Sequence, residues 1–378
     1  LQHCVMRQRE NFVKGIIWRN CILGVNSKNM NKDFGVRDRN KTLVVVEGKH
    51  EKENMIKIIF SVFPEISISY DNIIIFDADV YDLYKSIVDE YGEDWDTYDL
   101  EIDIPYLISS RKGYNEKLDK RNFTNIILIF DYERHDTSFS FEKITRLQKH
   151  FNNISEDGIL YINYPMVESY LDMPIIPDDE YIDRQVSVAM RPGEVYKKAV
   201  YGYSAFWKAC QVYMKLTNII HEHIRSLNNM QYDEIIYRIM NIAYDGMTRE
   251  GIENHLKQYN DDADVNIYLK NYIFNIMKKV NMPDNCINYW SMVRFYILYI
   301  VMQNIVKAYK IQTDYIENDL KCSSEIYSEI DFSKILLKQN ILSQDNFSGN
   351  IWILNCFMTF LGEYKFFWKW IKSNQETK

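Results

Sequence analysis

Three times in the first half of the chain an unbroken apolar run stops at a carboxylate. Leu43-Val-Val-Val46 ends at Glu47, Ile73-Ile-Ile-Phe76 ends at Asp77 with Asp79 two residues on, and Ile126-Ile-Leu-Ile-Phe130 ends at Asp131, followed by Glu133. None of these runs alternates polar with apolar residues, so each strand is expected to be covered on both faces, as in a parallel sheet between helices. Stretches with apolar residues at helical spacing separate them: 51–60 after a tight turn at Gly48, 80–90, and 141–151. A fourth run, 158–163, leads into Asn163-Tyr-Pro165-Met-Val-Glu168. There Pro165 stands near a helix N-terminus, where its missing N–H costs little, and Glu168 falls in the first turn. Strand and helix alternating from 42 to 165 predict an α/β fold with a parallel sheet flanked by helices. In such sheets ligands bind beyond the C-terminal ends of the strands, where these acids lie.

The domain organisation expected from the pattern has four parts. Residues 1–40 form a basic N-terminal arm, and 41–175 an α/β domain with an insertion at about 91–122, where periodicity is poor. That insertion is acidic early and carries a small basic cluster, Arg111, Lys112, Lys117, Lys120 and Arg121, near its end. Pro174, Pro177 and Arg191-Pro-Gly193 mark a linker at 176–195. Residues 196–378 read as an all-α C-terminal domain, rich in aromatic residues that are expected to pack between helices.

Charge and cysteine usage narrow the class of function. The net charge of −8 argues against a protein that coats nucleic acid non-specifically, since that affinity comes from neutralising phosphates. The arm is the exception, with nine basic residues against three acidic ones over 1–41. The six cysteines are far apart with no Cys-x-x-Cys pair, which supports neither a zinc knuckle nor a disulfide framework and fits a reducing, cytoplasmic setting. No apolar run reaches the roughly 18–20 residues that a membrane span needs, so no membrane association is expected. Arg19 and Asn20 interrupt the only apolar stretch near the start, and no secretory signal is expected either.

Several acids gathered at one edge of a parallel sheet repel one another, and a divalent cation relieves that repulsion. Oxygen-only ligation favours magnesium or manganese over zinc. A cation so held can clamp a phosphodiester and activate water for in-line displacement. Lys49, next to Gly48, is placed to meet a phosphate at a helix start. His135 lies beside the Asp131 motif. His221 and His223 are two apart, on different faces of a helix, and are not expected to share a metal. No glycine-rich phosphate loop is present.

Glu47-Gly48 after a hydrophobic strand, with Asp131-x-Glu133 after a later one, resembles the Toprim domain of bacterial primases, topoisomerases and overcoming-lysogenization-defect nucleases. The resemblance covers roughly residues 42–172. Asn163-x-Pro165-x-x-Glu168 is also similar to an element of standalone Toprim effectors from phage-defence loci of the PARIS type. What the resemblance implies is a magnesium- or manganese-dependent nuclease acting on DNA or RNA as a phage-defence effector, with a possible partner ATPase and a possible homodimer. Carried over residue by residue, Glu47 becomes general acid/base or metal ligand, with Glu168 as a further catalytic candidate; Lys49, from its place at the helix start, is another. Asp131 and Glu133 become metal ligands, with Glu168 as a further one. The chain departs from the usual Asp-x-Asp in having a glutamate at 133. Two alternatives stand beside this reading. One is a non-catalytic binding or regulatory subunit of a defence complex. The other is a haloacid-dehalogenase-type phosphatase with Asp77 as nucleophile and Asp79 as general acid, although a complete strand-helix unit precedes that motif.

Overall fold

The computed structural model describes residues 41–49, 51–97, 100–111, 117–190, 193–314 and 320–375. The basic arm 1–40 lies outside the described residues, as does Lys112 of the basic cluster. The described chain is α/β, with a mostly parallel five-stranded sheet flanked by helices and a largely helical C-terminal region.

The sheet has the order β2-β1-β3-β5-β4, from β1 (Thr42–Val46), β2 (Ile73–Ile75), β3 (Asn125–Asp131), β4 (Asn152–Asn153) and β5 (Gly158–Asn163). All neighbours pair in parallel except the two-residue β4, which runs antiparallel to β5. The register places Val46 opposite both Ile75 and Ile129, and Asp131 opposite Asn163. The four parallel strands therefore end at one edge, and the residue after each run projects there. β1 and β3 are buried along their whole length, which is why their sequences carry no alternation.

The connecting helices begin where local chemistry dictates. After Gly48 the chain makes a π-helical turn, Glu51–Ile56, before the regular helix α1 (Lys57–Val62). Asp79 caps α2 (Val80–Tyr91) by accepting the N–H groups of Tyr81 and Asp82. The insertion is more structured than its poor periodicity suggests. It contains the two-turn helix α3 (Ile104–Ser110), and fully buried Trp95 packs edge-on against Tyr84 and His150. The Arg146 guanidinium, on α4 (Phe141–His150), holds it down through Asp96 and the Glu93 carbonyl.

Two compact units divide the chain. One comprises, among the described residues, 61–64 and 205–297. Among its described residues are the helices α6 (Ala205–His223), α7 (Asn229–Met240), α8 (Arg249–Leu256) and α9 (Ala263–Met277), packed through Ile220, Ile236, Leu256 and Ile273. The other holds the sheet, α5 (Glu194–Tyr203) and the described residues from 298 onward. The helix α10 (Tyr289–Thr313) contributes residues to both.

The described residues of 176–195 lie within this second unit. That stretch carries fully buried Tyr181 and a strand, β6 (Gln185–Ser187). β6 pairs antiparallel with β7 (Asn350–Trp352), so the C-terminal region, though mostly helical, is not all-α as expected. The remaining helices are α11 (Ser324–Ser328), α12 (Phe332–Leu342) and α13 (Lys365–Gln375). Among the described residues no helix is long and apolar enough to cross a membrane.

Candidate metal centre

Glu47 stands one residue beyond β1 and Asp131 is the last residue of β3, the neighbouring strand. Strand alternation then sends Tyr132 away into the core, against Tyr164 and Phe139, and returns Glu133 to the side of Asp131. Glu133 has φ of +46°, a left-handed turn that ends the strand. Among the described residues, Glu47, Asp131 and Glu133 are the one group of three or more metal-ligating side chains whose donor atoms gather, all within 4.8 Å of one another.

Backbone contacts fix these groups. The Asp131 N–H donates to Oε2 of Glu47 at 3.1 Å, and Oδ1 of Asp131 accepts the Val167 N–H at 2.7 Å. That second bond fastens the 3₁₀ turn Val167–Leu171, which carries Glu168, to the end of β3. The Val167 carbonyl accepts from Asn355 Nδ2 at 2.7 Å, closing the other side of the turn. Asn163 is also fully buried, with Nδ2 facing the Phe130 carbonyl and Oδ1 accepting the Phe357 N–H. It ties strands to loop and offers no open ligand position.

Glu168 belongs to a neighbouring arrangement. Its side chain is 1% exposed and pairs with the Lys197 ammonium, and Tyr201 Oη approaches the same oxygen at 3.5 Å. It is not a member of the three-carboxylate group. Two further residues escaped the sequence reading. Glu51, buried, accepts the Gly48 N–H at 2.8 Å and is electrostatically coupled to Glu47, Asp131 and Glu168. Its place three residues after Gly48, on the first turn following β1, is a signal that could have found it. Lys197 is the cation that faces these acids, and nothing in the sequence from 194 to 203 marks it.

Electrostatics show strain in the cluster. Burial, more than any neighbour, lifts the Glu47 carboxyl to about 8; Glu133, Glu51 and Asp79 add repulsion, and the Asp131 N–H opposes the rise. Burial likewise raises Asp131 well above the ordinary carboxyl range, with Glu47 and Glu168 contributing. Glu51 and Glu133 are raised for the same first reason, and Glu133 is partly relieved by His135, whose Nε2 lies 4.0 Å from it. Burial pulls Lys197 down, but the pull of Glu168, Glu51 and Asp131 leaves it above the usual lysine value.

The other sequence candidates are not members of the three-carboxylate group. Lys49 is exposed on the turn after Glu47. Asp77 is exposed with φ of +58°, and its N–H donates to the Glu47 carbonyl. The Asp79 carboxylate is engaged as the cap of α2. His221 lies tilted against Tyr232 and His223 stacks on Tyr268, as separate ring contacts.

Comparison with protein-family models, curated proteins and solved structures finds no match. Oxygen ligands from three carboxylates, gathered within 4.8 Å and raised in proton affinity first by burial and then by neighbouring acids, fit a hard divalent cation such as magnesium or manganese.

Proposed function

We propose that this chain is a magnesium- or manganese-dependent nuclease of the Toprim type that hydrolyses phosphodiesters of DNA or RNA. The observation that carries the reading is the convergence of Glu47, Asp131 and Glu133 within 4.8 Å at the C-terminal edge of the sheet. When bound, a divalent cation supplies Lewis-acid polarisation of a phosphate oxygen and a water of lowered pKa. Glu47, Asp131 and Glu133 hold it. Lys197, kept beside these acids by Glu168, provides a positive charge for the negative phosphodiester. Glu47, with its raised carboxyl, is the group that would give up a proton as the cation binds. The role of phage-defence effector, with a partner ATPase and a homodimeric state, rests on the resemblance of the Glu47, Asp131-x-Glu133 and Asn163-x-Pro165-x-x-Glu168 elements to such effectors.

The engagement of Asp79 as a helix cap favours this reading over a phosphatase that would need it as general acid. The test is cleavage of supercoiled plasmid and of tRNA by wild type and by Glu47→Ala, with magnesium, manganese or EDTA. Metal-dependent cleavage lost in the variant supports the proposal. Equal behaviour of the two proteins contradicts it and leaves the binding-subunit reading.

A further inference from the structure

Glu168 and Asp172 are four residues apart, at the start and the end of the 3₁₀ turn Val167–Leu171, and both are turned on the same helix. That helix, α5, meets them with two pairs of side chains. Lys197 and Tyr201, one turn apart, reach Glu168. Tyr196 and Tyr203, two turns apart, reach Asp172, where Tyr196 Oη donates to Oδ2 at 2.8 Å and Tyr203 Oη to Oδ1 at 2.7 Å. Asp172 is 2% exposed and is itself held by Arg184, which donates to its carbonyl and lies 3.4 Å from Oδ1. Arg184 is fixed in turn by Asp178 at 3.0 Å.

We infer that Asp172 is a positioning residue: by accepting both tyrosine hydroxyls it sets the rotation of α5 that brings Lys197 to Glu168 and so to the three-carboxylate group. The inference rests on the nuclease reading for its consequence in activity. The geometry it describes stands apart from that reading. Both Asp172 oxygens are used by α5, one per tyrosine, so the clamp fixes the helix at two points along its length. The two bonds set that rotation together with buried Val200, and a roll of one residue, about 100°, would carry Lys197 off Glu168. The role is distinct from filling the core, because a phenylalanine at 196 or 203 keeps the ring and loses only the bond.

The experiment uses the full chain with Tyr196→Phe/Tyr203→Phe, and with Tyr203→Phe alone and Asp172→Asn as milder companions, each checked for a cooperative thermal transition. In the first arm, limiting acetic anhydride modifies the proteins and mass spectrometry compares Lys197 with exposed Lys198. Wild type is expected to show Lys197 modified more slowly, with the difference shrinking in the folded variants. Unchanged protection of Lys197 in a folded variant overturns the inference. In the second arm, metal-dependent plasmid cleavage is expected to fall roughly 10–100-fold in Asp172→Asn, the usual effect of losing a supporting partner, with no further fall when Lys197→Ala is already present. Losses that multiply show that Asp172 acts independently of Lys197 and overturn it. A wild type that cleaves nothing refutes the nuclease reading, and the acetylation arm still decides the positioning.

Discussion

The Asp131 N–H donates to Oε2 of Glu47, so the tips of two adjacent strands are joined through a side chain rather than through the ladder. The bond holds one oxygen of Glu47 at a fixed place beside Asp131 and partly offsets the burial of its carboxyl. It also sets what substitutions at the cluster do.

Glu47→Gln keeps an acceptor for that N–H and removes one negative charge from a crowded, half-buried group. In EDTA at pH 8.5 the variant is expected to be more stable than wild type by about 1–3 kcal/mol, the scale of one or two pKa units. Added magnesium is expected to raise the melting temperature of wild type but not of the variant. Urea and thermal melts with and without metal check both.

Stability should fall as pH rises. The Glu47 carboxyl stands at about 8 in the folded chain against 4.5 when exposed, and Asp131, Glu51 and Glu133 shift the same way. The folded state therefore binds more protons than the unfolded state between those values, and its stability declines as pH climbs through that window. Melting temperatures in EDTA are expected to be higher at pH 5 than at pH 8.5. Magnesium should stabilise little at pH 5 and most at pH 8.5, because binding needs the deprotonated acids.

Lys197→Met leaves Glu168 buried without this ammonium. Removal of one partner of a buried pair costs about 3–5 kcal/mol, and the half-exposed lysine brings the expected loss to about 2 kcal/mol. The double variant Glu168→Gln/Lys197→Met is expected to recover part of it. A urea double-mutant cycle measures the coupling.

Asp79→Ala removes the cap of α2 and is expected to destabilise by about 1 kcal/mol. Metal-dependent cleavage should persist in the folded variant. Abolished cleavage in a protein that retains its α2 helicity would place Asp79 in the chemistry instead.

The sheet was legible because its strands are covered on both faces: β1, β3 and β5 appear in the sequence as runs whose ends need little adjustment. The acids at their tips were legible for the same reason, since an uninterrupted run makes the residue that ends it conspicuous. Glu51 was harder, because a glutamate inside a helical stretch looks like a solvated position until the π-helical turn brings it back to Gly48. Lys197 and Asp172 were not legible. Their meaning comes from α5 packing on the 3₁₀ turn after β5, a tertiary contact with no local pattern. Asp79 shows the reverse: its motif looked chemical, and its hydrogen bonds are those of a cap. β7 and the membership of the described residues from 298 onward in the sheet unit were hidden because a three-residue strand carries too little periodicity to read.

The central claim is that Glu47, Asp131 and Glu133 share a cation. A crystal structure of the protein soaked in manganese, with anomalous scattering collected at the metal edge, tests it most directly. The account predicts one anomalous peak with oxygens of all three residues within roughly 2.0–2.6 Å, the range for hard divalent cations. No peak at this edge of the sheet, or three carboxylates that remain apart around a peak elsewhere, would contradict it.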